Sequence, residues 1–257
     1  MPDKYLKNND FLHAIRSFKP QLGTWNMINS PHVSEIIAST GFDWSVVDME
    51  HSPNEVERVM HQLQAFAAYS TMPMVRPPTV DAVITKRLMD IGSQSLLFPM
   101  VNSVDQAEEA VAGTRYPPRG VRGMAGVQRA NQFGRLTDYL SRVEEETCVI
   151  VQAETVTAIE HVEAIAAVDG VDGVFFGPAD LATDMGFRGD AQRSEVWDVI
   201  RTASQKVRAL GKPTGTLVST PEHAKDLFSA GMTFVSVGTD AGFLARRLDT
   251  VLAELKG

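Results

Sequence analysis

Residues 43–51 read DWSVVDMEH, an apolar run that ends in Asp48, Glu50 and His51. Ionisable groups at the end of a buried segment are costly to desolvate without partners. They make sense where several such ends face one polar mouth. Glu154 follows the run CVIVQA, and Asp180 follows GVFFGPA. Two carboxylates with the other coordination positions open suit a hard divalent cation such as Mg²⁺ or Mn²⁺, with water or substrate completing the octahedron. Asp180 alone has a plainer reading as a helix N-cap, and either acid could instead pair with an arginine. Arg76, in VRPP, is either a rim salt-bridge partner or a planar fork for a carboxylate or a developing oxyanion. Histidine as a residue type serves as a general base near neutral pH, so His51 is a candidate general base as well as an ordinary structural histidine.

The elements that carry these groups follow from the apolar pattern. Eight short apolar runs, at 22–27, 43–49, 72–77, 95–101, 148–154, 173–178, 213–219 and 233–239, alternate with segments of helical spacing. Runs this continuously apolar are buried on both faces, as in a parallel sheet. Eight such units and a final helix around 242–255 predict an α/β fold, a single-domain (β/α)₈ TIM barrel spanning 1–257. An open doubly wound sheet is the alternative, but no GxGxxG opens the first helix. The polar, Arg-rich stretch 115–147 is read as an excursion on one barrel, because the alternation resumes in step after it.

Reaction centres of such barrels lie at the C-terminal strand ends. Those ends carry Trp25 and Asn26, then Asp48, Glu50 and His51, then Arg76, Gln152 and Glu154, then Asp180, Ser219, Thr239 and Asp240. Gly177 to Asp180 also offers free amides at a helix start, which suits an anion. None of the lysines (4, 7, 19, 86, 206, 212, 225 and 256) falls at a C-terminal strand end, which disfavours Schiff-base chemistry. The histidines at 13, 32, 61, 161 and 223 fall in helix-like segments and read as structural or solvated, and Met49, Met72, Met74 and Met100 read as core filling.

Bulk properties narrow the partners. Net charge is −8 over 257 residues and the basic residues are scattered, which argues against nucleic acid or an anionic membrane. The single cysteine, Cys148, lies in an apolar run, so no intramolecular disulfide is expected and a catalytic thiol is disfavoured. The polar start MPDKYLKNND lacks the apolar core of a secretion signal, and a cytoplasmic protein is the expectation.

Taken together, LGTW, GFDWSVVDMEHSPN, MVRPP, KRLMDIGSQSLLFPMV, RYPPRGVRG, VQAET and GVDGVFFGPADLATDMG resemble the metal-dependent (class II) 2-keto-acid aldolases of the HpcH/HpaI family. Members of that family include 4-hydroxy-2-oxoheptanedioate aldolases. The resemblance implies that Glu154 and Asp180 are the metal ligands, with Mg²⁺, Mn²⁺ or Co²⁺ as the ion and no organic cofactor. It implies His51 as general base and Asp90 of KRLMDIG as the acid that raises its basicity, reaching it from a neighbouring subunit. Arg76 takes the role of transition-state stabiliser, while Trp25, Gln152, Asp180 and the Ala179 backbone contact the substrate. A hexamer built from dimers that exchange the C-terminal helix is also implied. The chain reads DMEH where many members have DGEH and VQAET where VQIET is common, and its C-terminal third matches less well.

The reaction expected on this basis is reversible retro-aldol cleavage of a 4-hydroxy-2-keto acid, giving an aldehyde and pyruvate or hydroxypyruvate through a metal-stabilised enolate. The alternatives are an acyl-CoA lyase, a 2-keto-diacid decarboxylase, or a barrel that only senses a keto acid.

Overall fold

Eight parallel strands close into a barrel in sequence order, β1 (Gln21–Asn26), β2 (Trp44–Asp48), β3 (Met72–Arg76), β4 (Ser95–Phe98), β5 (Cys148–Ala153), β6 (Gly173–Phe176), β7 (Thr214–Val218) and β8 (Phe234–Thr239). The computed structural model describes residues 5–188 and 190–257, so the first four residues of the polar start, Lys4 among them, lie outside it. Each predicted strand is present with ends shifted by at most three residues, and the final helix runs Asp240–Lys256. No helix among the described residues is long and apolar enough to cross a membrane.

Two apolar layers account for the closure. Inside the barrel, Trp25, Trp44, Met74, Ile150, Phe175 and Phe234 interlock, and β1 and β7 make room for the largest rings with glycine. A Cβ on Gly23 would meet the Trp44 indole at 2.3 Å, and one on Gly215 would meet the Phe234 ring at 2.2 Å. Outward-facing Val47, Val75, Leu96, Val149, Val151 and Phe176 belong to a second cluster that carries the surrounding helices. Cys148 is fully buried and burial pushes its thiol well up, so it is an inert small hydrophobe.

The helix Asp10–Arg16 was not anticipated from the sequence. It buries Phe11, Leu12 and Ile15 against Trp44 and Phe234, with the Phe11 and Trp44 ring centroids 5.4 Å apart. Part of the 115–147 excursion is also ordered by specific bonds. Arg122 is 1 % exposed, lies over the Tyr116 ring, and donates to Asp90 at 2.9 Å and to the Tyr139 hydroxyl at 3.0 Å. Among the methionines, Met49 and Met74 are buried as core filling requires. Met100 is not: it is 42 % exposed with a positive φ of 54°, because its amide turns to a carboxylate described below.

The C-terminal helix Asp240–Lys256 packs differently from the others. Asp240 is its one buried residue, whereas Leu244, Leu248 and Leu252, spaced four apart on one face, are each at least half exposed. Apolar stripes at helical spacing ordinarily face a core.

Candidate active site

Strand register assembles the first part of the site. Asp48 and Arg76 are paired neighbours at the ends of β2 and β3. The Asp48 carboxylate accepts from Arg76 Nε at 2.8 Å and from Nη2 at 2.9 Å, a two-pronged pair with both residues at most 5 % exposed. Beneath it lies the Trp25 ring, 4.2 Å from the guanidinium carbon, with the indole N–H donating to Ser236. Fork geometry and aromatic stacking fix the plane of the guanidinium in a way that lysine could not reproduce. The remaining nitrogen, Nη1, stands 2.7 Å from Glu50 Oε2 without hydrogen-bond alignment, and 3.5 Å from Gln152 Oε1. Burial pushes the Glu50 carboxyl up, against the opposing pull of Arg76 and His51.

The second part is built on β5 and β6. Gln152 pairs with Phe175 and Ala153 with Phe176, so one further step sets Glu154 beside Gly177. A Cβ on Gly177 would sit 2.2 Å from Glu154 Oε2, so glycine is required there for close approach. Glu154 is 2 % exposed, with Oε1 accepting from the Met100 amide at 2.8 Å and Oε2 from Gln152 Nε2 at 2.8 Å. Gln152 thus links the two halves through its amide, with Oε1 3.5 Å from Arg76 Nη1 and Nε2 donating to Glu154. Asp180 lies in the first turn of the helix Pro178–Asp184, whose N-cap is Gly177, so the N-cap reading of Asp180 does not hold. Asp180 and Ala179 are both exposed, on the first turn where helix amides lack intrahelical partners.

Burial raises the Glu154 carboxyl to about 7, and the charges of Asp180 and Glu50 add to the rise while the Met100 amide and Arg76 oppose it. A carboxyl with a raised folded pKa holds its proton more tightly when folded. Its contribution to stability is full below the ordinary value of 4.5 and is lost as the pH rises through about 7. The loss is roughly 3 kcal/mol. Without divalent cations, the wild-type protein should therefore lose more melting temperature between pH 5 and pH 8 than Glu154→Gln does. Adding the cation at pH 8 should return the difference. Equal pH dependence of the two proteins would contradict the assignment.

A buried Glu154 carboxylate opposed by the charge of the exposed Asp180 offers hard oxygen donors that fit a divalent cation. Among the described residues no three His, Cys, Asp or Glu side chains form a ready-made metal cage, but the charge of Asp180 acts on Glu154. A pair is the donor set for an ion such as Mg²⁺ that keeps several positions for water and substrate.

His51 is on this rim but is not tightly held. Its side chain is 59 % exposed, and the nearest acid is Glu50, with Oε1 4.0 Å from Nε2. Asp90 is elsewhere. It ends the helix Ala82–Asp90, which descends from the end of β3 to the start of β4, and it is bonded to Arg122 on the opposite face. Within one chain the acid beside His51 is Glu50, not Asp90. A cavity of about 510 Å³ lined by Met89, Arg129, Leu136 and Tyr139 lies near the excursion and lacks these converging acids, so chemistry rather than volume marks the site.

Comparison with known proteins identifies the family. Residues 21–246 match the family model for HpcH/HpaI aldolase/citrate lyase. The chain is similar to the 4-hydroxy-2-oxo-heptane-1,7-dioate aldolase of Shigella sonnei (strain Ss046), at 44 % identity over 246 residues, covering 95 % of this chain and 94 % of that one. Among solved structures, an HpcH/HpaI aldolase/citrate lyase family protein from Burkholderia cenocepacia J2315 superposes with a TM-score of 0.93 at 35 % identity, covering 97 % of this chain and 100 % of that one. The citrate synthase SbnG superposes with a TM-score of 0.86 at 27 % identity, covering 95 % of this chain and 96 % of that one.

Proposed function

The chain belongs to the HpcH/HpaI aldolase/citrate lyase family, and on that premise we propose that it cleaves a 4-hydroxy-2-keto acid reversibly into an aldehyde and pyruvate, or a close analogue such as hydroxypyruvate. The family is one of divalent-metal-dependent lyases. The observation that carries the reading is the pairing of two units on one rim: Glu154 beneath Gly177 and charge-coupled to Asp180, and Arg76 fixed by Asp48 over Trp25.

Glu154 and Asp180 would hold the cation, Mg²⁺, Mn²⁺ or Co²⁺. When bound, it supplies Lewis-acid polarisation of the 2-keto group. The chain's own residues do the rest. Free amides of the first turn at Ala179 and Asp180 face the negative end of the keto acid. His51 takes the proton of the C4 hydroxyl as the C3–C4 bond breaks, releasing the aldehyde. The electron pair of that bond moves onto the pyruvate fragment as an enolate, and its oxygen meets the Nη1 edge of Arg76. A donor fixed in advance costs no reorganisation when charge develops there. Gln152 keeps the Arg76 and Glu154 halves in register. The protonated His51 then returns its proton to C3 of the enolate, giving pyruvate, and in the synthetic direction the same base removes a methyl proton from pyruvate.

The test is turnover on a panel of 4-hydroxy-2-keto acids beside oxaloacetate and CoA thioesters. Exhaustive chelation should abolish cleavage, and Mn²⁺ should restore it. Full activity under chelation, or borohydride trapping of pyruvate on a lysine, would reject the reading.

The same reading takes the active form as a homo-oligomer, a hexamer of paired subunits. The uncovered stripe of Leu244, Leu248 and Leu252 suits a second copy. Leu244→Asp with Leu248→Asp should shift the protein to monomers in sedimentation at micromolar concentration. A wild-type protein that sediments as a monomer would count against it.

A further inference from the structure

The imidazole of His51 makes no hydrogen bond among the described residues, so what holds the base is the backbone of its loop. That loop wraps around one carbonyl. The main-chain oxygen of Asp48 accepts from the Ser52 hydroxyl and from Asn54 Nδ2 at 2.7 Å, and Asn54 Nδ2 also donates to Ser52 Oγ at 2.8 Å. The His51 amide itself adds only a long bond of 3.3 Å to the Asp48 carboxylate.

Asn54 is in turn held from behind. Gln62 Nε2 donates to Asn54 Oδ1 at 2.7 Å, and Gln62 Oε1 accepts from Asn26 Nδ2 at 3.1 Å. The second Asn26 hydrogen goes to Ser34 Oγ at 2.6 Å. All four residues are at most 3 % exposed. Asn26 ends β1, and the next two amides, of Met27 and Ile28, are anchored on the Asp240 carboxylate at 2.9 and 3.0 Å. The train of amides therefore runs from a fixed strand end to the loop.

Gln62 has no packing reason to be where it is. It lies among Val56, Val59, Leu63 and Phe66 on the buried face of the helix Val56–Phe66, where an apolar residue would fill the space without a hydrogen-bonding demand. We propose that Gln62 is a positioning residue, acting through Asn54 to fix the 48–54 loop and so hold His51 for proton transfer. This rests on the aldolase reading for its kinetic consequence but not for its structural one. A base carried on an exposed loop loses catalytic effect through small displacements, whereas substrate binding on the far side of the rim does not depend on it.

The test compares wild type with Gln62→Met, Asn54→Ala and the double variant. Amide hydrogen exchange at residues 50–52 should speed up about tenfold or more, while amides of β1 to β8 keep their protection. The kcat for keto-acid cleavage should fall about tenfold or more with KM within about threefold, and the double variant should be no worse than the poorer single one. Should Gln62→Met not fold, Asn54→Ala carries the same two readouts. Unchanged protection at 50–52, or losses that add and appear in KM, would overturn the proposal. A wild-type protein that cleaves no 4-hydroxy-2-keto acid would sink the aldolase reading, while the exchange result still decides whether Gln62 holds the loop.

Discussion

Glu154→Gln is expected to lower the turnover of a 4-hydroxy-2-keto acid by about 10³-fold, the scale on which losing a metal ligand costs several kcal/mol of charge stabilisation. The substitution is close to isosteric. An amide oxygen still accepts from Met100 and the volume beneath Gly177 is unchanged, so the fold should persist with the loss of only the bond from Gln152 Nε2. What disappears is the negative charge, and with it the strongest oxygen donor of the pair. Manganese binding followed by electron paramagnetic resonance should weaken in parallel. The loss should persist at saturating substrate, in kcat, as well as in kcat/KM. A variant that keeps a tenth of wild-type turnover, or binds manganese as well as wild type, would remove Glu154 from the metal site.

Arg76→Lys should lower kcat by about 10²- to 10³-fold, the usual cost of one preorganised oxyanion donor. The charge survives, so a purely electrostatic rim partner would tolerate the change. Two features of the guanidinium do not survive it: the pair of hydrogen bonds donated to Asp48 and the stacking on Trp25. Asp48 is fully buried, and an ammonium cannot satisfy both of its oxygens in the same plane. The melting temperature should fall as well. Lysine in place of Arg76 with near-normal kcat would show that the fork is structural and that the oxyanion is met elsewhere.

The barrel was readable because its strands are buried on both faces, leaving apolar runs that differ plainly from the amphipathic helices between them. Rim residues were readable for a related reason: a charge directly after such a run has few places to go. Spacing alone does not report which rim groups bind one another. Asp48 is the clearest case, since the sequence marks it as ionisable but not as the anchor of Arg76. Aligning the strand ends of β2 and β3 would have found it, because they are paired neighbours. Met100 could not have been found this way, as it contributes its backbone amide. Gln62 carried a faint signal, a polar residue on an otherwise apolar helical face. The helix Asp10–Arg16 is too short to show a clear period, and its role depends on an open barrel end that the sequence does not describe.

Hydrogen–deuterium exchange at the methyl group of pyruvate, followed by NMR, reaches the central claim without requiring the aldehyde to be known. Wild-type protein with Mg²⁺ or Mn²⁺ should exchange the methyl protons, and exhaustive chelation or Glu154→Gln should stop the exchange. Exchange that continues at full rate in chelator, or that never occurs with the cation present, would contradict the account.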